Sequence, residues 1–313
     1  MRGSRKWALL GLLPFAAMIA AFQLAPVLAM LTSSVRSPDG GGLTLAHYAT
    51  AFTNAFYFKA IQNSVIISLY SSFIGIVVAL LAAYSITRFS PAVRDRILVF
   101  SNMTSNFAGI PLAFAYIILL GNNGVFTLLF RSWGWDVFGE FDLYSWTGLV
   151  LVYVYFQIPL AVLLLYPAFY GIREQWKEAA ELLGATPLRF WQTVGLPCLA
   201  PAIFGTLGIL FANAMGAYAT AYALVGGNYN LLAIRIGSLV AGDVVTRPEL
   251  GNALATLLAL TTIGAVWINE RMTRRVAAFT GGKAPGPAKR RPRRLGRNAA
   301  DSAAAAKTGG EWA

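Results

Sequence analysis

Charge, cysteine and histidine are all scarce in this sequence, and each shortage excludes a class of protein. Only 12% of the 313 residues are charged, against about 25% in a soluble domain. With 57% of its residues hydrophobic, the chain is not an ordinary soluble enzyme. Cys198 is the single cysteine, which forbids an intramolecular disulfide and leaves a cysteine-based metal site without ligands. His47 is equally alone, and a lone histidine ahead of an aromatic-rich stretch reads as an interfacial residue rather than a ligand or proton shuttle. No cluster of His, Cys or carboxylates falls in the apolar stretches, so neither a metal centre nor a nucleophile has support, and no cofactor is expected.

What the chain has instead is long apolar runs. Residues 7 to 35, 60 to 87, 97 to 130, 143 to 172, 190 to 234 and 250 to 269 contain no Asp, Glu, Lys or Arg. Crossing a bilayer takes roughly 20 apolar residues as a helix, and lipid leaves exposed backbone no other partner than the helix itself. The expected fold class is therefore an all-α membrane protein with six transmembrane helices, near 7 to 31, 61 to 87, 97 to 120, 146 to 170, 199 to 225 and 252 to 270. The first run is longer than the roughly 7–15 residues of a signal-peptide core, which favours a retained anchor, and Pro14 and Pro26 predict kinks within it.

Placement of the basic residues sets the orientation. Arg2, Arg5 and Lys6, then Arg88, Arg94 and Arg96, then Arg173, Lys177 and Arg189, and finally the C-terminal tail fall on one side; the other holds only Arg36, Lys59, Arg131, Arg235 and Arg247. By the positive-inside rule both termini are cytoplasmic, N-in/C-in. The net charge of +12 is concentrated in the tail, where Lys289, Arg290, Arg291, Arg293, Arg294 and Arg297 stand beside Pro285, Pro287 and Pro292. That composition predicts a disordered segment held near anionic membrane lipid, not a nucleic-acid partner. Three units follow: an N-terminal anchor and outer linker over 1–44, a transmembrane domain over 45–276, and a basic tail over 277–313.

Two outer segments are patterned. Leu45, Tyr48, Ala49, Phe52, Ala55, Phe56 and Lys59 recur at helical spacing, as in a short amphipathic helix on the outer membrane face. Between Gly121 and Ser145 the chain carries Trp133, Trp135, Phe138, Phe141 and Tyr144, with Trp146 just beyond, an aromatic set suited to the interface. Its acidic members Asp136, Glu140 and Asp142 suit a cationic solute, docking of an external partner or solvation equally.

The inner loop 171–197 is the most informative segment. Ile172, Trp176, Ala179 and Leu183 form one helical stripe, with Arg173, Lys177 and Glu181 on another face. Gly184 ends that helix, as a residue free to take positive φ does. Thr186 and Pro187 then read as N-cap and first position of a second short helix, which Gly195 and Pro197 are expected to stop before the fifth span. Glu178 and Glu181 around the small pair Ala179 and Ala180 are poor partners for anionic lipid and good ones for a basic protein groove.

Glu178-Ala179-Ala180, three residues, Gly184, nine residues, Val194, one residue, Leu196-Pro197 resembles the EAA loop of ABC-importer permeases, the binding-protein-dependent inner-membrane components. Val194 stands where that pattern has Ile. Tyr48 with Phe52, and Asn63-Ser64 at the second span, are similar to the start of the family's core, and the likeness runs over about residues 45 to 270, most like the polyamine-type branch. Relatives of that branch also handle phosphonates, iron, sulfate and thiamine, so that a polyamine-like solute is favoured and phosphonate, iron or another anion stays open. The resemblance implies a non-catalytic subunit of the bacterial inner membrane. Its partners would be a second permease subunit, homo- or heterodimeric, two cytoplasmic ATPase subunits gripping the loops as coupling helices, and a periplasmic or extracellular solute-binding protein. It implies that Ala179, Ala180 and Gly184 seat the coupling helix, that Glu178 pairs with a basic groove residue, and that Leu196 and Pro197 pass motion into the fifth span. The chain has no Gly, four residues, Gly-Lys-Ser/Thr phosphate loop, so ATP falls to a separate subunit.

Amides take the place of charges in the spans: Asn106 near the centre of the third, Gln157 of the fourth and Asn213 of the fifth, with Tyr218 and Tyr222 one turn apart beyond. Such groups either glue helices together or line a translocation path, and the sequence leaves both readings open. The alternative function, a secondary transporter or channel acting without an ATPase, is disfavoured by the absence of intramembrane charge.

Overall fold

A computed structural model describes residues 12–37, 42–134, 141–242 and 247–279. Arg2, Arg5, Lys6, Trp135, Asp136, Phe138, Glu140, Asp243 and the tail from 280 onward lie outside those residues. Among the described residues no strand forms; the one isolated bridge pairs Arg36 with Leu43. Six helices among the described residues are long and apolar enough to cross a membrane.

The chain begins with α1 (Leu12–Ser34), whose turn Ala20–Leu24 widens to a π-helix just before Pro26. Such a bulge absorbs the carbonyl that a proline ring would otherwise strike. Only the far end of α1 is tied down: Ser33 Oγ accepts from Asn252 Nδ2 at 3.0 Å, and Ser34 Oγ meets Tyr48 Oη at 2.8 Å. The amphipathic stretch expected over 45–59 divides in two. Helix α2 (Ala46–Thr53) ends at Asn54, whose extended backbone and side chain, accepting from Phe56 N at 2.9 Å, cap α3 (Ala55–Ile86). Asn54 thus hands Ala55, Phe56 and Lys59 to the second span, which starts earlier than expected.

The third span requires a correction. Instead of one helix over 97–120, α4 (Pro91–Ser105) stops at Asn106, and α5 (Ile110–Leu120) starts after Gly109, at φ 77°. Pro111 has no N–H to continue the preceding helix and Gly109 takes a conformation that side chains resist. A short α6 (Val125–Ser132) follows, so the apolar crossing lies over Ile110–Ser132.

Helix α7 (Trp146–Phe169) is the most buried span, and its pairing with α3 is the most extensive in the molecule. The reason is a stripe on α3 in which Ser64, Ser68, Ser71, Ser72, Gly75, Ala79 and Ala83 are all buried; small residues at helical spacing let two backbones approach. Among the aromatics of the outer loop, Trp146 packs edge-on to Tyr70 at 5.4 Å and Leu143 beside them is fully buried, whereas Trp133 stays exposed.

Past α8 (Glu174–Leu182) the second loop helix does not stop at Gly195 or Pro197. It continues as α9 (Pro187–Met215) through a π turn at Trp191–Gly195, again two residues ahead of a proline. The fifth span is correspondingly earlier than the expected 199–225. It breaks at Ala217, an inverse γ-turn at φ −76°, ψ 56° in which Tyr218 N donates to Gly216 O at 2.8 Å. Helices α10 (Tyr218–Val225), α11 (Leu232–Ala241) and α12 (Pro248–Phe279) complete the described residues. Apolar packing gathers in three clusters: α5, α10 and the first half of α7; the second halves of α3 and α7 with α9; and α2, α11 and α12 around Met215.

Candidate functional site

Helix α8 stands out from the bundle, with no buried residue and its main tertiary contact to the start of α9. Glu174 in its first turn complements the helix dipole, and Lys177 pairs with Glu181 one turn on at 3.7 Å, a surface pair worth little by itself. Its end is a Schellman motif: Gly184, at φ 77°, donates to Glu181 O at 2.9 Å, and Ala185 N to Ala180 O at 2.9 Å. Nothing lies within 4 Å of where a Gly184 side chain would begin. The backbone conformation, not crowding, demands glycine there. Leu182 and Leu183, 89% and 88% exposed, sit at that end. Glu178 and Ala179 are exposed and Ala180 half-buried.

The return arm, by contrast, is clamped. Thr186 caps α9, its Oγ1 accepting from Arg189 N at 3.4 Å. Trp191 meets Tyr84 edge-on at 5.1 Å, Phe190 at 5.9 Å and Phe169 at 6.3 Å, joining the loop to the ends of α3 and α7. Gly195 exists for that ring: a Cβ there would lie 2.3 Å from Trp191 Cε3. Leu196 and Pro197 follow inside the unbroken helix, Leu196 exposed and Pro197 half-buried. From Pro187 to Met215 the helix runs on as one rod.

The four polar candidates divide. Gln157 is 0% exposed, between α3 and α7; its Nε2 donates to Ser71 Oγ at 3.1 Å and its Cβ lies 3.2 Å from where a Gly75 side chain would begin. Asn106 and Asn213 are not central in their spans. Asn106 is the exposed residue capping α4, its Nδ2 donating to Asn102 O at 2.8 Å, and Asn213 is exposed in the last turn of α9. The structure nevertheless relates them, because the two helix breaks meet: Gly109 N donates to Thr220 Oγ1 at 2.9 Å, and Ala219 flanks Gly109. Tyr218 opens α10 beside that meeting point, exposed and stacked on Tyr222 at 5.4 Å.

A network unforeseen from sequence holds the segment after α10. Arg235 Nε donates to Asn230 Oδ1 at 2.7 Å and its Nη2 to Gly227 O at 3.0 Å, with its guanidinium 4.6 Å over Phe56. Asn230 Nδ2 donates to Phe56 O at 2.7 Å, Asn63 Nδ2 to Asn230 O at 3.0 Å, and Leu232 N to Ser64 Oγ at 2.8 Å. The available signal was Arg235 itself, a cation within an otherwise apolar segment.

The family described as binding-protein-dependent transport system inner membrane component matches residues 75–278, which takes in α8, the clamp and both helix breaks. The chain belongs to that family. It is an ABC-importer permease subunit, a multi-pass protein of the bacterial inner membrane and a non-catalytic part of its transporter. Relatives include the trehalose transport permease SugB of Mycobacterium tuberculosis, 25% identical over 91% of this chain and 99% of that protein. The spermidine/putrescine permease PotC of Escherichia coli is 23% identical over 83% of this chain and 92% of its own. The sulfate permease CysW of the same species is 27% identical over 65% and 69%. Among solved structures, the bacterial alginate ABC transporter in complex with alginate pentasaccharide-bound periplasmic protein has a chain that superposes with TM-score 0.68 at 19% identity, covering 90% of this permease and 98% of that chain. Membership sets aside the reading of a transporter acting without an ATPase.

Proposed function

We propose that this permease is oriented N-in/C-in and that α8 is its coupling helix, docking in a groove of a cytoplasmic ATPase subunit. The observation that carries the reading is a protruding helix with an exposed, Schellman-capped end, joined to a continuous rod that reaches the helix breaks. Ala179, Ala180 and Gly184 give the groove a close approach, and Glu178 pairs with a basic groove residue. Leu196 and Pro197 lie in the segment of α9 that carries the motion. Closure of the ATPase pair moves α8, α9 follows, and the breaks at Asn106–Gly109 and Gly216–Ala217 yield, opening the pore formed with a second permease subunit. Solute arrives on an external binding protein and passes Asn106, Asn213 and Tyr218, with Gln157 holding α3 to α7. The stacked pair Tyr218 and Tyr222 offers π faces that attract an organic cation, so a polyamine-like solute is favoured over the sulfate, trehalose and alginate named for relatives.

Substitution at Gly184 tests this. Asp and Asn are of equal size and both tolerate positive φ better than most residues, so the pair isolates charge. Gly184→Asn is expected to keep the ATPase through co-purification, and Gly184→Asp to lose it and abolish ATP-driven uptake. Retention of the ATPase by Gly184→Asp would refute the coupling role. In the same vesicles spermidine, and not sulfate or trehalose, is the expected cargo.

A further inference from the structure

Behind α8, on the face turned to the bundle, is a cavity of about 260 Å³ between the ends of α3 and α7 and the start of α9. Its charged lining is Arg88, Arg173, Lys177 and Glu174, three cations against one carboxylate. Arg88 is held in place by Tyr84, donating to its hydroxyl and lying 5.0 Å over its ring. Arg173 has neither an ion pair nor a side-chain hydrogen bond among the described residues, and the partner of Lys177 is the partly exposed Glu181. Arg94 adds positive potential from behind, donating to the hydroxyl of Tyr170, which also lines the cavity. The remaining wall is mostly aromatic, with Phe169, Phe190 and Trp191 beside Thr87 and Ile172.

We infer that this cavity binds the phosphate of an anionic membrane phospholipid. An excess of cations around a cavity calls for an anion, and a phosphodiester takes charge-assisted bonds from guanidinium and ammonium donors together. The lipid is favoured over a soluble anion by position. The cavity opens at the ends of two spans, where headgroups lie, and its aromatic wall is of the kind that sits at headgroup level with apolar surface toward the acyl chains. Basic pockets between span ends on the cytoplasmic side are a recurrent form of lipid recognition. Because Lys177 belongs to α8 while Arg88 follows the α3 end, a bound phosphate ties the protruding helix to the bundle and sets its resting position, against the repulsion of Glu174. That regulatory consequence rests on the reading of α8 as the coupling helix; the binding itself does not.

The test is native mass spectrometry of the full chain, purified in detergent without any ATPase, titrated with phosphatidylglycerol, phosphatidylcholine or inorganic phosphate. Phosphatidylglycerol is expected to remain bound, with affinity falling about five-fold for each cation removed, hence roughly 25-fold in Arg88→Gln/Arg173→Gln. Arg96→Gln, which removes a cation from α4 outside the cavity, is expected to leave it unchanged. Arg173→Gln alone, at an exposed side chain, keeps the test decisive if the double variant fails to fold. Equal binding of phosphatidylcholine, undiminished binding in the variants, or inorganic phosphate displacing the lipid would each overturn the inference. Lipid binding that persists while Gly184→Asp still holds the ATPase would refute the coupling role and leave the lipid site standing.

Discussion

Gly184 and Gly195 lie on either side of the start of α9, and their reasons for being glycine are opposite. At Gly184 there is open space and a left-handed backbone; at Gly195 the backbone is helical and the Trp191 ring fills the space. Gly195→Ala is therefore expected to lower stability by about 1–3 kcal/mol through overpacking, read as a lower melting temperature in detergent, and Trp191→Leu in the same chain to restore part of it. No restoration would mean that the ring is not the obstacle. Gln157 presents a different question at the same scale. Its one hydrogen bond, to Ser71, is buried, and its Oε1 has no partner among the described residues. Interhelical bonds in membranes contribute about 0.6 kcal/mol on average, so Gln157→Met is expected to fold and transport nearly as before. Collapse of uptake in a normally folded Gln157→Met would place the amide in the path instead.

Among the elements, the segment between α10 and α11 depends on a small latch. Asn230 accepts from Arg235 and donates to Phe56 O, while Asn63 and Ser64 of α3 hold the backbone beside it. Asn230→Ala breaks two of these bonds, one to a charged donor, and is expected to cost about 2 kcal/mol. Faster amide hydrogen exchange over residues 216–231, with α3 and α7 unaffected, would locate the loss; uniform exchange would show that the latch stabilises the bundle as a whole. The elements also show how far sequence reaches. Gly184, Thr186 and Pro187 were legible because caps and turn residues act within a few positions. Asn106, Asn213 and the end of α9 were misplaced because hydropathy is blind to where a helix breaks inside an apolar run. The punctuation was present at Gly109 and Pro111, but Pro197 has the same form and breaks nothing, since a π turn ahead of it spares the helix.

For the whole molecule, six crossings put Asp142 and Glu174 on opposite faces of the membrane, separated by α7 alone. With Cys198 replaced by serine, single cysteines at these positions are expected to react with a membrane-impermeant maleimide from opposite sides, position 142 from outside whole cells and position 174 only after the inner face is exposed. Labelling of position 174 from outside would invert the orientation and remove the ATPase from reach of α8.

Sequence alone determined the class of protein, the number of spans, the position of the loop and the chemistry of its turn. These depend on quantities local in the chain: an apolar run must become a helix in lipid, and a glycine at a helix end needs no distant partner. Only the tertiary structure decided which helices run on and which break, that two breaks meet at Gly109 and Thr220, that Gly195 answers to Trp191, and that cations from α8 and from just beyond the end of α3 surround one cavity. Each of these is a contact between residues remote in sequence, and in a bundle so uniformly apolar the outcome turns on side-chain shape and on which few polar groups find one another, which no periodicity records.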